Sequence, residues 1–162
     1  MPHPLAQQLV TNLAARGLRI TTIESCTGGL VAAAITSVSG SSNVFDYGFV
    51  TYSNAAKSAM VGVHQDLLTA HGAVSEPVAR AMAEGGRIKA GADIALSITG
   101  IAGPAGGSPE KPVGMVCFGL SFSNRNRVVT ETRVRQFGNI GRDEVRAAAL
   151  EFALDWALEA LS

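Results

Sequence analysis

Ile23-Glu24-Ser25-Cys26-Thr27-Gly28-Gly29-Leu30 is the stretch around which the rest of the chain falls into place. Upstream, Leu18-Arg19-Ile20-Thr21-Thr22-Ile23 is rich in β-branched residues and predicts a buried strand. Downstream, Leu30-Val31-Ala32-Ala33-Ala34-Ile35 is apolar and Ala-rich and predicts a buried helix. Between them stand two hydroxyls, a thiol and paired glycines. A strand that becomes a helix across such residues presents their side chains at the C-terminal edge of a sheet. The first N–H groups of the helix then face the same space, where they can hold an anion or a developing oxyanion. The plainer reading, a helix start capped by Ser25 or Thr27, is equally open on this segment alone.

The chain has 162 residues, which predicts one domain over 1–162 with a core of its own. A hydrophobic content of 47% against 16% charged residues excludes a disordered chain. The formal net charge is zero, and no basic run is interleaved with aromatics. Nucleic acid and anionic membrane are therefore poor partners. Two cysteines, Cys26 and Cys117, with no signal peptide ahead of them, predict reduced thiols and a cytoplasmic protein. The longest uncharged run, Ser25 to Phe45, is interrupted by glycines and serines and is too polar to span a bilayer.

Leu5, Leu9 and Leu13 recur at helical spacing before Gly17, so the chain is expected to open with an amphipathic helix. Tyr47 to Tyr52 reads as a second strand, after which Asn54 can cap a short helix carrying Lys57 and Met60. A further short helix is expected over His64 to Ala70. A longer one follows, capped by Ser75, with Val78, Met82 and Ile88 close to one face. Asp93 to Thr99 is a third strand that runs into Gly100-Ile101-Ala102-Gly103-Pro104-Ala105-Gly106-Gly107-Ser108-Pro109, a loop by composition. Val113 to Phe122 and Arg127 to Phe137 predict a hairpin. The last helix carries two apolar stripes, Val145/Ala149/Phe152/Trp156 and Leu150/Leu154/Leu158/Leu161. One stripe suffices to cover a sheet, so the second predicts a twofold homodimer unless the N-terminal helix covers it. The alternation of strands and helices predicts an α/β fold, a three-layer α/β/α sandwich with a mixed, mostly parallel sheet.

No His-x-His, His-Glu-x-x-His or Cys-x-x-Cys occurs, so no metal site is expected, and neither a P-loop nor a dinucleotide fingerprint is present. What remains is a hydroxyl nucleophile with a lysine. Ser25 ends one strand, Tyr52 and Lys57 follow another, and Thr99 with Gly100 ends a third; in an open α/β sheet these positions converge on one crevice. A serine hydroxyl attacks only when a neighbouring base takes its proton, and a lysine becomes such a base when burial lowers its pKa. An ordinary solvated helix lysine is the alternative for Lys57, and a packing aromatic the alternative for Tyr52. Cys26 is a rival nucleophile, since a helix N-terminus depresses a thiol pKa.

Four ordered motifs carry a resemblance: Glu24-Ser25-Cys26-Thr27-Gly28-Gly29; Gly48-Phe49-Val50-Thr51-Tyr52-Ser53-Asn54 with Lys57; Gly72-Ala73-Val74-Ser75-Glu76-Pro77-Val78; and Ser97-Ile98-Thr99-Gly100-Ile101-Ala102-Gly103-Pro104 running on through Gly106-Gly107-Ser108 to Glu110-Lys111-Pro112-Val113-Gly114. Together they resemble the CinA C-terminal domain family, over nearly the whole chain. The resemblance implies deamidation of nicotinamide mononucleotide to nicotinate mononucleotide and ammonia, in pyridine-nucleotide salvage. It also implies a three-layer fold and a homodimer. The motifs begin so near Met1 that the family's N-terminal molybdopterin-binding-like domain, with its pyrophosphatase activity, is expected to be absent. Near the C-terminus, Phe137-Gly138-Asn139-Ile140-Gly141-Arg142 to Val145-Arg146 is longer than the family's compact Gly-Asp-Arg pattern.

With that resemblance, Ser25 is expected to attack the carboxamide and Lys57 to take its proton, with no cofactor. N–H groups near Thr27, Gly28 and Gly29 would hold the oxyanion, and Tyr52 and Thr99 would position Lys57 or the carboxamide. The Gly100–Gly107 loop, through Gly100, Gly103, Gly106 and Gly107, would wrap the nucleotide, and Arg142 or Arg146 would meet its phosphate. The competing expectation is a non-catalytic nucleotide-binding or competence/damage-related regulatory module on the same fold.

Overall fold

The structure, a computed structural model, describes all 162 residues. Helix α1 (Pro4–Arg16) leads into strand β1 (Ile20–Glu24), helix α2 (Leu30–Thr36) and strand β2 (Phe45–Val50). Three helices follow, α3 (Asn54–Val61), α4 (Gln65–His71) and α5 (Glu76–Ala90), and then strands β3 (Ile94–Gly100), β4 (Met115–Asn124) and β5 (Arg127–Gln136). Helix α6 (Arg142–Ala160) ends the chain. The sheet order is β2-β1-β3-β4-β5; β1 pairs in parallel with β2 and β3, and the two pairings of β4 are antiparallel. Only β4 therefore runs against the others, and the expected mixed, mostly parallel α/β sheet is what forms.

Each face of the sheet buries its own set of helices. On one, Ile20, Ile94, Leu96, Ile98, Val116, Phe118 and Leu120 pack with residues of α1, α2 and α6. On the other, Ile23 and Ala95 meet Val61, Val63, Leu68, Val78 and Met82 from the α3–α5 side. The split follows from strand alternation: Ile94, Leu96 and Ile98 face one way, while Ala95, Ser97 and Thr99 face the other. Small side chains on that second face let α5 lie close, and the Ser97 hydroxyl donates to the Ala79 carbonyl at 2.6 Å. Within α5, Gly85 allows equally close passage of α3, because a Cβ there would run into the Val61 carbonyl. Ile88, expected on the inner face with Val78 and Met82, is exposed. Its 100° steps place it beyond the contact stripe, near the end of the helix.

The hairpin closes over Arg125 and Asn126, with Asn124 paired to Arg127. Arg125 adopts φ 56° there, as two-residue hairpin turns require. His3 and His64 prove to be helix caps, each ring Nδ1 accepting an N–H two residues on. The second stripe of α6 is covered within the chain: α1 packs on α6, and Leu9, Leu13, Leu154 and Leu161 are all buried. Leu150 and Leu158 of the same stripe stay half-buried. No helix is long and apolar enough to cross a membrane.

Chain order around β1 positions the site. After β1 the chain crosses through α2 to β2 on one side, then through α3, α4 and α5 to β3 on the other. The crevice beyond the carboxyl ends of β1 and β3 lies at this reversal, where open α/β sheets bind ligands.

Candidate active site

Ser25 follows the last residue of β1, and its position is fixed from both sides. Its own N–H donates to the Ile98 carbonyl at 2.9 Å, continuing the β1–β3 ladder. The Thr51 N–H donates to the Glu24 carbonyl at 2.8 Å, continuing the ladder with β2. Thr51 and Thr99 thus flank Ser25 across the strand ends.

Lys57 reaches the serine from α3. Ser53 caps that helix through its hydroxyl, which accepts the Ala56 N–H, and Lys57 lies one turn before the buried Val61. Its side chain is 1% exposed, against the solvated alternative. The Nζ donates to Ser25 Oγ at 3.1 Å, to the Thr51 carbonyl at 2.9 Å and to the Tyr52 carbonyl at 3.5 Å. Burial pushes the ammonium below its usual pKa. No carboxylate lies within ion-pair distance of Lys57. Burial with no carboxylate partner is what favours the neutral amine.

Ser25, Lys57 and Thr99 line one cavity of about 280 Å³, near the lower end of the size typical for small-molecule sites. Its walls include Ala73 and Val74, Gly100 at the end of β3, and Gly103 and Gly106 of the loop that follows. Tyr52, Asn54 and Arg142 also line it, as do Cys26, Ile101, Ala102 and Ala105. No Asp or Glu lines it, so the Arg142 guanidinium makes the cavity suited to an anionic ligand. Gly103 sits at φ 82°, and a Cβ there would strike Val113, so the wall needs glycine at that point. No three His, Cys, Asp or Glu side chains are gathered anywhere in the chain.

Several expected residues take other roles. The Thr99 hydroxyl donates to the Ala73 carbonyl at 2.9 Å, holding the 73–74 wall rather than Lys57. The Tyr52 ring is exposed; its hydroxyl accepts from Arg142 Nη2 at 2.9 Å, while Arg142 Nη1 donates to the Gly103 carbonyl at 2.7 Å. Arg142 thereby joins the two sides of the cavity mouth. Arg146 does not line the cavity; its Nε and Nη2 donate to the Cys26 and Thr27 carbonyls at 3.1 and 3.3 Å. Gly107 lines an adjoining surface cleft instead.

The β1–α2 turn corrects two expectations. Thr27, Gly28 and Gly29 do not line the cavity, and neither Ser25 nor Thr27 caps α2. Glu24, fully buried, does this from behind: Oε1 accepts the N–H groups of Gly29 and Val31 at 3.2 and 2.9 Å, and Oε2 that of Ala32 at 3.0 Å. The Gly28 N–H donates to the Ser25 carbonyl. The unengaged amides are those of Cys26 and Thr27, which donate to no oxygen in the chain. The second correction concerns Cys26. Burial pushes its thiol up to about 11, with the Glu24 charge adding in the same direction, so it is not an activated thiolate. Glu24 as an internal cap escaped sequence reasoning, because a glutamate ending a buried strand gives no capping-box spacing.

This α/β fold, with a serine–lysine pair at its switch point, defines a class that comparison with other proteins identifies. The family model described as the CinA C-terminal domain matches residues 2–161, and the chain belongs to that family. It is 51% identical over 156 residues to the nicotinamide-nucleotide amidohydrolase PncC of Enterobacter agglomerans, covering 96% of this chain and 93% of that protein. It is 60% identical over 121 residues to a Symbiobacterium thermophilum protein named for competence damage, covering 75% of this chain and only 28% of that one. The crystal structure of the competence/damage inducible protein CihA from Agrobacterium tumefaciens superposes with a TM-score of 0.90 at 47% identity, over 97% of this chain and 93% of that one.

Proposed function

We propose that the chain is an amidohydrolase converting nicotinamide mononucleotide to nicotinate mononucleotide and ammonia, a step of pyridine-nucleotide salvage. The observation that carries this is the buried Lys57 Nζ, 3.1 Å from Ser25 Oγ in a cavity without a carboxylate. The name of the Enterobacter relative, which this chain nearly spans, supports the substrate.

In this reading Lys57 enters as the neutral amine and takes the Ser25 proton as Oγ bonds to the carboxamide carbon. The carbonyl electron pair moves to oxygen, and the Cys26 N–H, whose residue lines the cavity, meets that charge. When the C–N bond breaks, Lys57 returns the proton to the nitrogen, which leaves as ammonia. Water then adds to the acyl-serine, giving its proton to Lys57, and the acid leaves as Ser25 regains a proton. Arg142 pairs with the nucleotide phosphate, giving up its bonds to Gly103 and Tyr52 as it does so. The N–H groups of Ala102, Gly103, Ala105, Gly106 and Gly107, none of which bonds within the chain, add donors along the nucleotide.

Ammonia release measured over nicotinamide mononucleotide, nicotinamide riboside and free nicotinamide tests the assignment. The mononucleotide should be turned over fastest. Saturable binding of the mononucleotide without ammonia would favour the non-catalytic module instead.

A further inference from the structure

We propose that the Ser25–Lys57 corner of the cavity is a carboxylate site for the reaction's own acid product. A pyridine-3-carboxylate nucleotide then binds more tightly than the carboxamide substrate and inhibits by pairing with the Lys57 ammonium. This rests on the amidase reading above and concerns the same cavity after the amide is cut. Three acceptors surround Lys57 Nζ: Ser25 Oγ at 3.1 Å, the Thr51 carbonyl at 2.9 Å and the Tyr52 carbonyl at 3.5 Å. An ammonium has three N–H groups, one for each of them. A neutral amine has two, which the carbonyls take, and its lone pair then meets the Ser25 hydroxyl. The corner therefore accommodates both protonation states with the same partners. What the charged state lacks is a counter-ion, since no Asp or Glu lines the cavity or pairs with Lys57.

Hydrolysis supplies that counter-ion. The amide is neutral, whereas the acid that replaces it is ionised at neutral pH. The carbon that becomes the carboxyl was bonded to Ser25 Oγ, so the new group forms beside Nζ. The carboxyl O–H bond breaks and an N–H bond forms on the amine, leaving carboxylate and ammonium side by side with the total charge unchanged. Either charge alone is costly in a buried corner, and each offsets the other. The groups around Lys57 leave this pairing unopposed. The β1 end brings the Ser25 hydroxyl and the Cys26 thiol, which stays neutral because burial pushes it up to about 11. The β2 end brings two carbonyls, and the Tyr52 hydroxyl is engaged by Arg142. No charged side chain of α4, α5 or the loop after β3 lines the cavity, and α6 adds only the Arg142 cation.

Titration calorimetry of the full chain tests this with nicotinate mononucleotide and nicotinamide mononucleotide, over a range of pH and in buffers of different ionisation heat. Ser25→Ala serves for comparing the two ligands, because it should bind the amide without turning it over. The acid should bind it about tenfold more tightly, the margin of a charged over a neutral hydrogen bond. Above the lowered Lys57 pKa, wild type should take up close to one proton per acid bound, and its affinity for the acid should fall about tenfold per pH unit. The amide should show neither effect in Ser25→Ala, and the phosphate common to both ligands cancels in the comparison. Lys57→Met should lose the acid preference and the proton uptake while still binding the amide. In ammonia-release assays the acid should compete with the amide, more strongly as pH falls. Equal affinities for acid and amide, binding of the acid without proton uptake, or an acid preference that survives in folded Lys57→Met would overturn the proposal. If Lys57→Met does not fold, the proton count in wild type decides alone. A wild-type chain that releases no ammonia defeats the amidase reading and this proposal with it, whereas ammonia release without an acid preference defeats this proposal alone.

Discussion

In the proposed mechanism, the state of Lys57 decides whether Ser25 can react. Substitution Lys57→Met keeps the apolar stem and removes the amine, so kcat should fall by about 10²–10⁴-fold, the usual contribution of a positioned base. Binding of the mononucleotide should weaken far less, which equilibrium titration would check. The pH dependence has a definite sign. Because burial lowers the Lys57 pKa, the neutral base is present above that lowered value, and activity should fall as pH drops below it. Stability follows the same shift. Between the lowered folded value and the ordinary lysine value the unfolded chain binds more protons, so stability rises with pH across that window. Denaturation measured against pH should show this rise in the wild type and its loss in Lys57→Met. Sequence made Ser25 and Lys57 visible as candidates, since hydroxyl and amine both follow strand ends. The burial of Lys57 was not legible, because it depends on Gly85 letting α3 press against α5.

Among the elements, the loop after β3 and the start of α6 carry substrate selection in the proposed reading. Arg142 spans the cavity mouth through bonds to Gly103 and Tyr52, both available for exchange with a phosphate. Hydrogen bonds to charged groups contribute about 1.5–3 kcal/mol. Arg142→Ala should therefore raise KM for the mononucleotide roughly 10- to 100-fold while leaving kcat close to wild type. Gly103→Ala tests the wall itself. With φ at 82° and Val113 against the site of a Cβ, it should destabilise by more than about 1 kcal/mol and reshape the cavity. Chemical denaturation and activity would both register the change. The loop was legible as a ligand wall from its glycines and proline. The distinction between Arg142 and Arg146 was not, since both lie on one helix, one turn apart, and only the path of the β1–α2 turn separates them. Cys26 stood as a rival to Ser25 because a helix N-terminus lowers a thiol pKa; burial raises it instead, and Glu24 already occupies that terminus.

For the molecule as a whole, the strand and helix sequence was legible because periodicity and glycine stops survive in most elements. What covers what was harder to read. The apolar surplus of α6 is met in part by α1, through Leu9 and Leu13, which the sequence offered only as the alternative to a subunit contact. Leu9→Ala, at a fully buried site in that contact, should cost about 2–5 kcal/mol of stability while the folded fraction keeps its kcat, since α1 lies away from the cavity. Order β2-β1-β3 is what brings Ser25, Lys57 and Thr99 to one crevice, and the central claim is that this crevice cleaves an amide with Ser25 as its nucleophile. Ammonia release from nicotinamide mononucleotide by wild type, Ser25→Ala and Cys26→Ala tests it most directly. Ser25→Ala should remain folded and lose turnover by several orders of magnitude, with Cys26→Ala retaining most of it. Near-full activity in Ser25→Ala, or its loss in a folded Cys26→Ala, would contradict the account.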